Sequence, residues 1–592
     1  MKKLTLLIIL LFFSCENQRV IKRPNVILIM TDDQGYGDLG ANKNQNIITP
    51  NLDDFADKSI RFNNFFVSPV CAPTRSSLMT GRYSLRTGVR DTYNGGAMMS
   101  SDETTIAEIL KEANYSTGIF GKWHLGDNYP FRPSDQGFDE SLIHLAGGIG
   151  QVGDFTNYYA KNTSYFDPIL WKNNEQKKYE GYCSDIFTNN AIEFIEKNKS
   201  NSFFCYLSFN APHTPLQVPK EYENLYNNLE LNTEYYDGNQ LVKMTKKDID
   251  DTRKIYGMIS NIDDNLGKVV NKLKELRIED ETIIIFMTDN GPQQLRYNGN
   301  MKGRKGSVYN GGIRVPFFLK VPNKFKDVKV KEINKLSAHI DLVPTISELC
   351  NVELPKNKKI DGKSLIPLLE GKNTENRYLF SYWTRRFPEK YINMSIQNDE
   401  FKLVGNNNYD SDIEKFELYD LINDPNEKNN IVKENIPIAA EFKYEMEKSL
   451  NELTKSKNIL NPPRIIIGTK NENPTFLNRN DASGDRGIWA QNDIYTMWKV
   501  KFKKGTYNLK FKFKDSIKKS GTIFTEINNM VYSKKFNEPL DDVIEMKGIE
   551  IEDSNVDLIS FFRVGNKKIY PNGIAVNVTN ISTGIILLIL LL

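Results

Sequence analysis

Four stretches of the chain share one hydropathy pattern, an uninterrupted apolar run that stops abruptly in a polar cluster. Val26-Ile27-Leu28-Ile29-Met30 gives way to Thr31-Asp32-Asp33-Gln34-Gly35, and residues 115–120 give way to Gly121-Lys122-Trp123-His124. Residues 203–209 end in Asn210-Ala211-Pro212-His213, and residues 282–287 in Thr288-Asp289-Asn290-Gly291. Short runs rich in β-branched residues, without polar alternation, predict strands buried on both faces, as in a parallel sheet. Helical periodicity falls between or after them, over 104–113, 184–197, 250–276 and 341–349. The alternation predicts an α/β fold with a large, mostly parallel central sheet flanked by helices. Ligands of such sheets bind beyond the carboxyl ends of the strands, so four polar strand ends make one candidate site.

The texture changes near Glu375. Residues 378–383, 391–396 and 401–404 read as short strands and 438–453 as a helix, which predicts a smaller C-terminal α+β subdomain. Asn461-Pro462-Pro463 marks a boundary. Beyond it, alternation such as Thr506-Tyr-Asn-Leu-Lys-Phe-Lys-Phe-Lys514 predicts an all-β, sandwich-like extension. The expected organisation is a signal segment at 1–14, an α/β domain at 24–374, the subdomain at 375–456 and a β-rich accessory domain at 462–592. The apolar tail 584–592 is too short to span a bilayer and reads as a last buried strand. No internal repeat is seen.

Length and charge narrow the class. A chain of 592 residues suggests two to four domains, and a net charge of +3 gives no reason to expect a nucleic-acid partner. A run such as Lys326-Asp-Val-Lys-Val-Lys-Glu332 reads as a solvated face. Met1-Lys2-Lys3, an apolar run at 4–13 and Ser14-Cys15 have the form of a secretory signal. Leu11-Phe12-Phe13-Ser14-Cys15 resembles a relaxed bacterial lipobox, so the chain is expected to be exported and lipidated on Cys15 in the periplasm or outer membrane. Five cysteines without a Cys-x-x-Cys pair give no support to structural zinc or a disulfide framework, and Cys205 and Cys350 read as core residues.

The strand ends carry the chemistry. Asp32, Asp33, Asp289 and Asn290 offer hard oxygen ligands, and three carboxylates brought together need a cation such as Ca²⁺ or Mg²⁺. Arg75, Lys122, His124, His213 and Lys305 supply the basic side, whereas His144 and His339 read as ordinary polar residues. Cys71 stands in Ser68-Pro69-Val70-Cys71-Ala72-Pro73-Thr74-Arg75-Ser76, at or just ahead of a helix start where free N–H groups favour an anion. Taken alone, Cys71 fits a low-pKa nucleophile, a metal ligand or a helix-start residue without chemistry. A metal, several cations and a nucleophile together suit a sulfate or phosphate ester.

Cys71-Ala72-Pro73-Thr74-Arg75 resembles the signature of type I sulfatases of the alkaline phosphatase superfamily. Thr31 to Asp38, Gly121 to His124, Asn210 to Pro215, Asp289-Asn290-Gly291 and Lys305 to Pro316 resemble further motifs of that family, in family order. Two weaker matches lie at 341–345 and 417–425. One departure is Asn310, where the family usually has an acidic residue before paired glycines.

The resemblance implies that a maturase converts Cys71 to formylglycine, and that Asp32, Asp33, Asp289, Asn290 and the modified residue 71 hold Ca²⁺, with Mg²⁺ the other choice. It further implies that His213 protonates the leaving oxygen with help from Lys305, and that Lys122 binds sulfate oxygens. Arg75 would stabilise the ionised hydrate, and His124 would take the proton that frees sulfate. The expected reaction is sulfate-ester hydrolysis, with a phosphate-ester hydrolase of the same superfamily and a non-catalytic carbohydrate-binding lipoprotein as competing readings. Export and the β-rich extension suit a sulfated polysaccharide or oligosaccharide, read by loops at 88–99, 144–159, 216–244 and 382–390. Oligomeric state has no sequence signal.

Overall fold

The computed structural model describes residues 23–581 apart from 155, 159–162, 324, 326–327, 486–490, 528–529 and 538–542. The signal segment with Cys15 and the apolar tail 584–592 lie outside the described residues. The main sheet is built from β1 (Asn25–Thr31), β2 (Ile60–Phe62), β3 (Ser116–Lys122), β4 (Glu140–His144), β5 (Ile169–Lys172), β6 (Glu175–Lys178), β7 (Phe203–Ser208), β8 (Thr282–Thr288), β9 (Phe317–Lys320) and β10 (Glu332–Ile333). Their order is β10-β2-β9-β8-β1-β7-β3-β4-β5-β6. The central five, β8-β1-β7-β3-β4, are all parallel. Antiparallel pairing enters on both sides, through β9 and through β5, so the whole sheet is mixed around a parallel centre.

The unbroken apolar runs are explained by packing on both faces. Val26, Leu28 and Met30 point with Ile283, Ile285 and Phe204 into one core, which Leu78, Ile106 and Val343 complete from helices. Ile27 and Ile29 point the other way with Ile284, Phe286 and Cys205, against Phe187, Phe194, Ile262 and Leu266. Those covering residues lie on helices Cys183–Asn198 and Lys246–Glu275, the second opened by a Thr245/Asp248 capping box. Cys71, Cys183, Cys205 and Cys350 are all buried and free of disulfides.

Residues 379–420 form a four-stranded antiparallel sheet in sequential order, and helix Ile436–Thr454 lays Phe442, Met446 and Leu450 on it. Beyond residue 462, two sheets of mostly antiparallel strands enclose a core that includes Trp498, Phe502, Leu509, Phe511, Leu558 and Ile574. Met98 and Phe131 of the α/β part belong to that same core, so the sandwich is docked on the loops above the main sheet. No helix among the described residues is long and apolar enough to cross a membrane.

Candidate active site

Parallel pairing in register brings the polar ends of β1, β8, β7 and β3 to one edge. Thr31 lies beside Thr288, and Met30 and Gly121 each lie beside Ser208. Asp32, Asp33, Asp289 and Asn290 therefore emerge together, all buried. Asp33 adopts φ +63°, a left-handed conformation held by its N–H on Asp289 Oδ1 at 3.2 Å. A Cβ on Gly121 would lie 1.8 Å from the Ser208 carbonyl oxygen, so only glycine lets β3 run this close before Lys122 turns inward.

Cys71 is the first residue of helix Cys71–Thr80, every residue of which is buried. Its Sγ and a carboxylate oxygen from each of Asp32 and Asp289 lie within 4.8 Å of one another. Burial pushes the thiol's pKa up despite Lys122 and Lys305 nearby, so the unmodified side chain is a neutral thiol and not a ready thiolate. The helix N-terminus alone does not activate it.

Cations surround the carboxylates. Arg75 sets Nε and Nη2 on Asp289 Oδ2 at 3.2 and 2.8 Å, and donates Nη1 to Ser208 Oγ and the Lys122 carbonyl. Lys122 pairs with Asp32, and Lys305 Nζ lies 2.5 Å from Asp33 Oδ1. Burial works against ionisation of Asp32, but Lys122, His213, Arg75 and Lys305 outweigh it and hold its pKa well below the ordinary value. Burial and the neighbouring Asp32 charge push Asp289 upward, the repulsion a bound cation relieves.

Asp32 Oδ1, Asp33 Oδ2 and Asn290 Oδ1 are buried without a hydrogen-bond partner. Three orphaned oxygens, each from a different residue of the expected ligand set, are what a hard divalent cation requires and what a satisfied polar core lacks. The residues fit such an ion.

The two expected histidines differ in presentation. His124 Nε2 lies 2.6 Å from the Thr92 carbonyl oxygen, which makes it the protonated nitrogen and leaves buried Nδ1 with a free lone pair. Burial and Lys122 hold its pKa well below the ordinary histidine value, so it is neutral and able to accept a proton. His213 donates Nδ1–H to the Thr214 carbonyl at 2.8 Å and turns Nε2 toward Asp33 Oδ2, 3.7 Å away. Burial lowers its pKa, while Asp32 and Asp33 act in the opposite sense.

All ten residues expected from the sequence thus fall in one cluster beneath a cavity of about 470 Å³. Sequence reasoning missed Ser208, the shared partner of Arg75 and the Lys122 carbonyl, and Thr92, which fixes the His124 tautomer. His144 stands beside Lys122 in register and spends Nδ1 on the Leu145 carbonyl, with its pKa taken by burial down to about 3. His339 bonds the Phe66 carbonyl and Ser68, a structural place ahead of the Cys71 helix. Of the four specificity loops, three reach the cavity, through Thr92 and Tyr93, Gly147 and Gln151, and Trp383 and Arg385. The 216–244 loop instead bonds Gly303 through Asp237.

Asn310 does not touch the Lys305 ammonium. Its N–H donates to Glu427 Oε2 at 2.7 Å, and its Oδ1 accepts from Lys402, itself 2.7 Å from Glu427. A carboxylate from far along the chain thus stands beside the glycine pair that follows Asn310.

The family model described as Sulfatase matches residues 24–352, and one described as N-sulphoglucosamine sulphohydrolase, C-terminal, matches 304–456. Human steryl-sulfatase (Homo sapiens) is 27% identical over 472 residues, which cover 64% of this chain and 76% of its own. N-acetylgalactosamine-6-sulfatase of Sus scrofa is 30% identical over 388 residues, covering 61% and 68%. Among solved structures, Ps i-CgsB is 30% identical with a TM-score of 0.63, covering 74% of this chain and 94% of its own, and it has also been solved with k-i-k-neocarrahexaose. A phosphonate monoester hydrolase of Agrobacterium radiobacter shares the fold at 18% identity and a TM-score of 0.55. With more than half of the chain matched by the family model and the site residues gathered at the strand ends, this chain belongs to the sulfatase family and is a sulfuric ester hydrolase.

Proposed function

We propose that the chain is an exported, formylglycine-dependent sulfatase that removes sulfate esters from a sulfated poly- or oligosaccharide with the help of Ca²⁺. The observation that carries this reading is the set of orphaned oxygens on Asp32, Asp33 and Asn290, beside Cys71 and among Arg75, Lys122 and Lys305. Asp32, Asp33, Asp289 and Asn290, with residue 71, would hold the cation. Oxidised to formylglycine and hydrated, residue 71 would supply one hydroxyl to attack sulfur and a second whose deprotonation expels sulfate, and a bound cation would favour ionisation of the first.

The remaining work falls to side chains already in place. Lys122 and Lys305 offset charge on the sulfate oxygens, and Arg75 holds Asp289 while offering positive charge to the nucleophile. His213 Nε2 is the open nitrogen, and in the imidazolium form, which Asp32 and Asp33 favour against burial, it delivers a proton to the leaving alcohol. His124 Nδ1, its lone pair free because Thr92 fixes the other nitrogen, takes the proton that lets sulfate depart.

The sulfated-glycan assignment is supported by relatives whose names specify sulfated sugars and by loops that leave room for a sugar ring. The Met1–Cys15 sequence supports export and a lipid anchor, hence a periplasmic or outer-membrane location. In this reading residues 24–374 carry the chemistry and 375–456 brace the loop bearing Lys305, with Glu417 accepting from Lys302 and Tyr309. Residues 462–592 form the accessory unit. The experiment is co-expression with a formylglycine-generating maturase, mass spectrometry of the Cys71 peptide, and steady-state assays on an aryl sulfate and an aryl phosphate in parallel. Conversion of Cys71 with sulfate preferred is expected; an unconverted cysteine in an active enzyme, or a phosphate preference, overturns the reading.

A further inference from the structure

The cavity above Cys71 carries a second cationic feature on its rim, apart from the groups that face the scissile ester. Arg385 Nη1 lies 3.3 Å from Asp91 Oδ1 and 3.3 Å from Thr92 Oγ1. Its guanidinium sits 4.7 Å from the ring centre of Tyr93 and 4.9 Å from that of Trp383. Trp383 donates its indole N–H to the same Asp91 oxygen at 3.1 Å and packs on Gly306, next to Lys305. Asp91 is completely buried, whereas the Arg385 side chain is 47% exposed and its Nε and Nη2 have no hydrogen-bond partner among the described residues.

A free arginine side chain loses rotamer entropy when a ligand fixes it. Here two aromatic rings and a buried carboxylate already hold the half-exposed side chain, and two nitrogens of its planar fork make no hydrogen bond among the described residues. A pre-set fork of this kind pairs with two oxygens of a carboxylate or sulfate far better than a mobile lysine would. At about 470 Å³ the cavity has room for a sugar ring spanning from the Cys71 floor to this rim.

We propose that Arg385, set in place by Asp91, Trp383 and Tyr93, is a specificity-determining residue that binds a second oxyanion of the same glycan, either a further sulfate ester or a uronate carboxylate. The proposal rests on the sulfatase reading and names its substrate class: glycans carrying at least two negative groups close together.

The test compares matured wild-type enzyme with Arg385→Ala and Arg385→Lys on four substrates. These are 4-nitrophenyl sulfate, a neutral monosulfated galactoside, a disulfated galactoside, and a monosulfated disaccharide bearing a uronate. The wild type is expected to favour at least one dianionic substrate. Arg385→Ala should lower kcat/KM on it about tenfold or more beyond any loss on 4-nitrophenyl sulfate, mostly through KM. Arg385→Lys should recover only part of that loss, because charge returns without the fork. Whether the disulfated or the uronate substrate responds identifies the oxyanion.

Calorimetric binding of the same glycans to the Cys71→Ala protein, with and without Arg385→Ala, reads the subsite independently of turnover. Equal losses on all substrates, no preference for a second anion, or glycan binding indifferent to Arg385 would each overturn the proposal. Sulfate release from no substrate, with Arg385-dependent glycan binding intact, would instead count against the sulfatase reading.

Discussion

Replacing Lys122 by methionine separates two roles of one side chain, neutralising a buried carboxylate and binding an anion. Lys122 and Asp32 are both fully buried and paired, and Asp32 Oδ1 has no hydrogen-bond partner. Lys122→Met keeps the unbranched stem and removes the charged end, leaving Asp32 with the 3.8 Å contact to Arg75 Nη2 in its place. Removing one partner of a buried pair costs about 3–5 kcal/mol. For a cooperative unit spanning residues 24–456, unfolding entropy scaled by length makes each kcal/mol worth about 1 °C in Tm.

In EDTA the variant should therefore melt about 3–5 °C below wild type. A divalent cation on Asp32 restores the missing counter-charge, so the gap should shrink by about half or more when Ca²⁺ is supplied. Turnover with Ca²⁺ present should still fall about 10²–10³-fold, since the ammonium is absent from the sulfate oxygens. Differential scanning calorimetry in EDTA and in Ca²⁺, paired with aryl sulfate kinetics, measures all three quantities. Equal Tm losses in both conditions would show that Asp32 does not face the cation, and near-normal turnover would remove Lys122 from the anion site.

Further predictions test the nucleophile, the docked sandwich and the support of the Lys305 loop. Cys71→Ala should abolish measurable sulfate release and leave the unfolding transition in place, with Cys71→Ser behaving alike unless a serine-type maturase is present; restored turnover in Cys71→Ala refutes the nucleophile assignment. Asp127 and Asp481 face each other in the sandwich interface, and burial pushes both carboxyl pKa values up, Asp127 further through the Asp481 charge. A raised folded-state pKa gives stability that is complete below the unfolded value, about 4, and is lost as pH rises through about 6. Asp481→Asn should thus gain in Tm relative to wild type between pH 4 and 7, and a difference independent of pH refutes the pairing. Lys402→Met should cost about 3–5 kcal/mol by stranding Glu427, while adding Glu427→Gln should recover part of it; thermal melts of the two variants decide.

The parts of the site legible in the sequence are those whose position follows from strand periodicity. Asp32, Lys122, His213 and Asp289 each follow a run too apolar to be anything but a doubly buried strand, and parallel register then brings them together. Arg385 and Trp383 lie in a loop without periodicity, and their meeting with Asp91 joins positions almost 300 residues apart. Thr92 escapes for another reason: it fixes His124 through its backbone carbonyl, a group every residue carries. Glu427 reaches Asn310 across 117 positions, so a motif read locally shows a missing acid where the fold brings one from elsewhere. The strands at one edge of the sheet are equally hidden, because Ile60–Phe62 and Glu332–Ile333 are too short to carry a pattern.

The charges at the site also bear on why sulfate suits it better than a phosphate monoester. Asp32, Asp33 and Asp289 face Arg75, Lys122 and Lys305, three negative groups against three positive, while burial keeps His124 neutral. A divalent cation on the orphaned oxygens would hold Asp289 ionised and bring the site to +2. A sulfate ester contributes one negative charge and an ionised nucleophile another, so the site is neutral once the His213 proton has left with the alcohol. A phosphate monoester is largely dianionic at neutral pH, since its second pKa is about 6, and would leave one negative charge unpaired after that proton transfer. In so buried a cluster an unpaired charge is costly, which raises the barrier for the phosphate. A phosphodiester carries the same single charge as a sulfate ester, so charge alone does not exclude it. What it must bring in addition is a second alkyl arm, held where Lys122, Lys305 and their ion-pair partners offer only polar contacts.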